Sequence, residues 1–179
     1  MEAPEFDRSI GMELYATNSL GCGGRLRARS EDFVVEEIAL DQSYEGGRFL
    51  IVEVEKTDWD THHLVRDLSR QLKISQKRIS WAGTKDKNAV TRQRMSISGL
   101  DEDELSRSSL PDVKIRALGR SNRAVALGDL RGNRFSIRIR EIDLEEDEAS
   151  RRLEAVTGEI RAQGGLPNYF GVQRFGEVR

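Results

Sequence analysis

The chain holds a single cysteine, Cys22, among 179 residues. One thiol closes no internal disulfide, and neither it nor the two histidines falls into a zinc-ligand spacing, so no metal is expected. No apolar run approaches the length of a membrane span. The opening residues, MEAPEFDRSIGMEL, lack the basic region and apolar block of a secretory leader. Internal repeats and low-complexity tracts are absent too. These absences together predict a cytoplasmic protein with no membrane contact.

Charge is abundant. Charged residues make up 34% of the chain and hydrophobic ones 37%, and the length allows one domain, or two small ones, with a real core. The net charge of −2 is uninformative, but its distribution is not. Residues 31–60 carry 10 acids and 2 bases, whereas residues 66–94 carry 9 bases and 2 acids. Residues 114–140 add 8 bases and 1 acid, and residues 141–148 carry 6 acids alone. Such segregation predicts a positive face for a polyanion. Its plainer alternative is a set of solvated helix and strand faces.

Alternation marks strands at Phe33–Ile38, Arg48–Lys56, Val90–Ser98, and around Val113–Ala117 and Phe135–Ile139. In the second, Leu50, Val52 and Val54 share one face, while Phe49 and Ile51 point the other way. Asp60 and Thr61 are candidate caps for a helix carrying Leu64, Val65, Leu68 and Leu72. Ser75 could cap a short helix reaching Ile79. A longer helix is expected over Leu144–Ala162, with Ala149, Leu153, Val156 and Ile160 along one side and Gly164-Gly165 as its stop. Residues 1–24 read as irregular. Strands come in groups rather than in strict alternation with helices, so the fold class is α+β, with a mixed or antiparallel sheet and flanking helices.

The segment SWAGTKDKNAVTRQR, residues 80–94, sets Asp86 between Lys85 and Lys87. Adjacent cations favour the ionised carboxylate. That suits a general base poorly, and a magnesium ligand usually has further carboxylates nearby. A carboxylate nucleophile must be ionised and held by a cation, which fits. The alternative is a turn aspartate bonded to its own backbone, and spacing alone favours that alternative. Near the end of the sequence, PNYFGVQRFG crowds three aromatics, an amide and an arginine together. Unstacked bases in single-stranded RNA sites meet side chains of this kind.

Taken together, Ala82-Gly83-Thr84-Lys85-Asp86-Lys87, Ala89-Val90-Thr91-Arg92-Gln93 and Asn168-Tyr169-Phe170-Gly171…Gln173-Arg174-Phe175-Gly176 resemble the TruD family of tRNA pseudouridine synthases. Weaker matches follow the same order: Glu31-Asp32-Phe33-Val34-Val35-Glu36, Asp60-Thr61 and Leu130-Arg131-Gly132-Asn133-Arg134-Phe135. The resemblance implies a pseudouridine-synthase-like catalytic domain. It also implies isomerisation of a tRNA uridine, typically position thirteen, without a cofactor. Carried over by motif, Asp86 is the catalytic nucleophile, attacking ribose C1′ or base C6. Arg27 pairs with it, Asn168 positions it, and Phe170 stacks on the flipped base. Lys85, Lys87 and Arg92 are expected to contact RNA. The resemblance assigns His62 and His63 nothing.

Members of that family are much longer. The expected division is therefore an irregular segment, 1–25, followed by the first half of a catalytic domain, 26–179. The missing C-terminal half of the same polypeptide is then a possible partner beside tRNA. The competing expectation is an RNA-binding fragment without activity of its own.

Overall fold

The computed structural model describes residues 1–166. Alternating apolar segments become six strands: β1 (Phe33–Ala39), β2 (Phe49–Thr57), β3 (Ile79–Trp81), β4 (Val90–Ser98), β5 (Val113–Ser121) and β6 (Leu130–Ile137). They form one sheet of order β5-β2-β4-β1-β6, with β3 also on β4. β1 and β4 run parallel and the other pairings are antiparallel, which makes the mixed sheet of an α+β chain. The helices are α1 (Glu5–Arg8), α2 (Thr61–Gln71), α3 (Glu102–Leu105) and α4 (Glu146–Ala162).

β2 lies inside the sheet and buries both faces at its start. Leu50, Val52 and Val54 join Leu64, Val65 and Leu68 of α2 and Met95 and Ile97 of β4 in the main core. Ile51, on the other face, packs with Ala82 and Val125. Each fully buried aliphatic side chain contributes about 1.5–3 kcal/mol of transfer free energy. Asp60 caps α2, its Oδ1 accepting the N–H groups of His62 and His63 at 2.9 and 3.1 Å. The short helix expected to reach Ile79 is a 3-10 turn, Gln76–Arg78. Ile79 opens β3 instead, because its side chain enters the core.

The charge segregation has a structural outcome that differs from the expected positive face. Acid-rich β1 and β2 alternate across the sheet with base-rich β4, β5 and β6. Arg92 of β4 stands in register with Glu36 of β1 and Glu55 of β2 and pairs with both, at 2.9 and 2.7 Å. Lys114 and Arg116 of β5 pair with Glu55 and Glu53 at 2.9 and 3.0 Å. Charges separated along the chain therefore neutralise one another between strands.

The chain divides into two compact units. One is Arg25–Arg140, containing the whole sheet, and the other comprises residues 1–24 with the chain from Glu141. A boundary near residue 25 was expected, but the grouping of the N-terminal segment with the α4 region was not. In the second unit, α4 buries none of its residues, and Leu153 of its expected apolar stripe is 46% exposed.

Candidate active site

Asp86 lies in the loop between β3 and β4. The parallel pairing of Val34 with Val90 brings the start of β4 beside the start of β1. The antiparallel pairing of Thr57 with Val90 brings the end of β2 to the same place. The N-terminus of α2 follows directly from β2. Three strand ends and one helix start thus surround a single short loop.

Main-chain groups of this loop are held from beneath. The buried Thr61 hydroxyl accepts the Lys85 N–H at 3.1 Å and donates to Gln93 Oε1 at 3.4 Å. Gln93 Nε2 in turn donates to the Gly83 carbonyl at 3.1 Å. Lys56, fully buried at the end of β2, donates from Nζ to the Asp86 carbonyl at 2.9 Å and to the Trp59 carbonyl at 2.5 Å. Burial pushes the Lys56 ammonium down to about 8, against the opposing pull of Asp60 and Asp86.

The Asp86 side chain points the other way and stays 34% exposed. Its Oδ2 lies 3.4 Å from Arg27 Nη2. Arg27 has a left-handed backbone, φ 53°, a conformation that disfavours a residue with a side chain. Its guanidinium also covers the Phe33 ring, 3.8 Å from the centroid. Phe33 meets Phe135 of β6 edge to face, centroids 6.1 Å apart. Asp86, Arg27, Phe33 and Phe135 thus form a continuous chain of contacts. The two ends of that chain, Asp86 and Phe135, line an open cleft of about 370 Å³ together with Asp60, His62, Thr84 and Asn133.

Such a cleft offers an anion held by a cation, an amide, and an aromatic ring that is 53% exposed. Chemically it can present an ionised carboxylate to an electrophilic carbon beside a planar group. Among the described residues no cluster of His, Cys, Asp and Glu is arranged to hold a metal ion, and no helix is long and apolar enough to cross a membrane.

Two residues expected to contact RNA, Lys85 and Arg92, make ion pairs within the protein. The Lys85 ammonium is only 3% exposed and pairs with the equally buried Glu37 at 2.7 Å, so it faces the interior. Arg92 pairs with Glu36 and Glu55 within the sheet, while its side chain stays 44% exposed. Lys87 is exposed, as expected. Asn168 and Phe170 lie outside the described residues. Asn133 and Phe135 were absent from the expected site, although their motif was noted. The pairing of Glu37 with Asn133 and Val35 with Phe135 carries them to the cleft. His62, given no role by the sequence, also lines it and sits edge-on to Trp81.

A mixed six-stranded sheet with a carboxylate–arginine pair at a strand-end cleft defines an α+β domain built around an anionic centre. The sequence matches the family tRNA pseudouridine synthase D (TruD) over residues 9–179, and the chain belongs to that family. It is 52% identical over 179 residues to the probable tRNA pseudouridine synthase D of Methanosarcina mazei, matching all of this chain and 41% of that protein. The corresponding protein of Archaeoglobus fulgidus is 45% identical over 176 residues, which cover 97% of this chain and 41% of that one. A crystal structure of the putative tRNA pseudouridine synthase D (TruD) from Methanosarcina mazei superposes with a TM-score of 0.94 at 52% identity, covering 100% of this chain and 41% of its counterpart. The chain thus spans about two fifths of the length of the relatives it matches.

Proposed function

We propose that this chain contributes the nucleophile-bearing part of a tRNA pseudouridine synthase, with Asp86 as the nucleophile and a D-arm uridine, position thirteen, as the target. The observation that carries this is the one-third-exposed Asp86 carboxylate, 3.4 Å from Arg27, on a loop fixed by three buried side chains. A nucleophile needs that combination of a cationic partner, access and rigidity.

The target base must leave its stack before its glycosidic bond is reachable. Asp86 then bonds either to ribose C1′, as the C1′–N1 bond breaks, or to base C6. The uracil turns, C5 bonds to C1′ in place of N1, and the carboxylate is released. C5 loses one proton and N1 gains one, so the reaction balances without a cofactor. Arg27 pairs with the carboxylate and keeps it aimed. Phe135 offers a face to the flipped base, and the family motif gives Phe170 the same task and Asn168 the positioning of Asp86. Lys87, exposed beside Asp86, is a cation available to phosphate.

The test is a covalent trap using tRNA that carries 5-fluorouridine at the target position. An adduct or rearranged product that forms with Asp86 and not with Asp86→Asn is expected. Product with both proteins would overturn the reading. The second reading, an RNA-binding piece inactive alone, is favoured by the chain's two-fifths coverage of its relatives. It predicts tRNA binding without product from either version of this chain.

A further inference from the structure

Lys56 occupies a position where the sheet calls for an apolar residue. It continues the Leu50–Val52–Val54 stripe of β2 onto the core face, and like them it is fully buried. Removing an ammonium from water costs several kcal/mol unless it is well partnered. Among the described residues no carboxylate is bonded to it. Its partners are two main-chain carbonyls, those of Trp59 and Asp86, at 2.5 and 2.9 Å. The hydroxyl of Thr91, its cross-strand neighbour on β4, is buried and makes no hydrogen bond among the described residues. A methionine of similar length would fill this space without the desolvation cost. The charge is therefore poorly explained by stability and well explained by what it grips, the main chain of the nucleophile itself.

We propose that Lys56 is the positioning residue of Asp86. Its ammonium fixes the Asp86 carbonyl, and so the direction in which the carboxylate leaves the loop, and this positioning weakens as the ammonium loses its proton. The inference rests on the reading of the Asp86 cleft as the isomerisation site. Charge-assisted hydrogen bonds are about twice as strong as neutral ones, so the neutral amine still reaches both carbonyls but holds them less firmly. The charged groups facing Lys56 are Asp58 and Asp60 from the β2–α2 turn, and Lys85 and Asp86 from the loop above. The carboxylates retain its proton and Lys85 opposes them. The grip is accordingly set to loosen near pH 8.

The experiment uses the longest natural polypeptide that contains this sequence, with Lys56→Met, Lys56→Gln and Asp86→Asn variants. For Lys56→Met, kcat is expected to fall about 100-fold with the tRNA KM changed by less than about twofold, because misplacement of about 1 Å costs that much in rate. The unchanged protein should lose kcat as pH rises through about 8, and Lys56→Met should lack that alkaline limb. Amide exchange in residues 82–89 should quicken in the variant while β2 and β4 stay protected. Lys56→Gln, which keeps N–H donors at shorter reach, should recover part of the lost rate, and it substitutes if the methionine variant does not fold. Lys56→Met with kcat within about threefold of the unchanged protein, or with the same alkaline limb, overturns the inference. Full activity of Asp86→Asn would instead remove the underlying reading, so the two failures are distinct.

Discussion

Arg27 is the residue on which the cleft's electrostatics turn. It touches Asp86 through one nitrogen and Phe33 through its flat face, and it tolerates a left-handed backbone in order to do so. The pair is about one-third exposed on each side, so its contribution to stability is below about 1 kcal/mol. Its contribution to rate should be larger. Arg27→Ala is expected to lower kcat about 10–100-fold while moving the urea midpoint little, and Arg27→Lys should recover only part because it cannot stack in the same way. Asp32 behaves differently. Its carboxylate lies well below the usual range, chiefly because Arg140 donates to it at 2.7 Å, with burial opposing. A depressed folded value means that its stabilisation is present above the ordinary carboxylate pKa and is lost as pH falls through the folded one. Urea titrations below about pH 5 should show that acid limb, and Asp32→Asn should flatten it. Lys56 has the same sign at the other end of the scale. Between about 8 and the ordinary lysine value the unfolded chain binds more protons, so stability should rise with pH over that window and Lys56→Met should abolish the rise.

Elements meet at the Asp86 loop through buried polar contacts. Lys85 and Glu37 are 48 residues apart in sequence and 2.7 Å apart in space, joined because β1 and β4 run side by side. Breaking such a pair from one side leaves an uncompensated buried charge. Lys85→Met should therefore cost about 3–5 kcal/mol in urea unfolding, and adding Glu37→Leu should return much of it. The salt dependence of tRNA binding separates this strut from a phosphate contact. Lys87→Ala should lower the slope of log affinity against log salt by about 1, and Lys85→Met should leave the slope unchanged once its stability loss is allowed for. The order of the strands has a wider consequence. Acidic and basic strands alternate, and Glu55 is held below its usual value first by Lys114 and then by Arg92. In a sheet built in this way, glutamates of β2 balance bases of β4 and β5 on either side.

At the scale of the molecule, the core belongs to one unit. Apart from Ala3, every buried hydrophobic residue among those described falls within Arg25–Arg140. Native-state hydrogen exchange should therefore find the slowest amides in β2 and β4, near the global unfolding free energy, and faster exchange along α4, which buries nothing. Slowest exchange in α4 would contradict that division.

Local and periodic features could be read without coordinates. Alternation around Leu50–Val54 requires a strand, the four-residue spacing of Leu64, Leu68 and Leu72 requires a helix, and Asp60 ahead of it provides the cap. The motif order already identified the family, and it, rather than the placing of Asp86 between two lysines, singled that carboxylate out. Side-chain parity along a strand is legible in the same way, and it places Lys56 on the core face with Val54. Partnership across the sheet was not legible. Which lysine turns inward, which arginine is taken by a neighbouring glutamate, and which of the aromatics reaches the cleft all depend on register between strands distant in the chain. Register is set by collective packing of whole faces, and a one-residue slip reverses every side chain. Asp86 was therefore determined by local sequence. Its buried support from Lys56, the turning inward of Lys85, and the cleft wall of Asn133 and Phe135 were decided only when β1, β2, β4 and β6 came together.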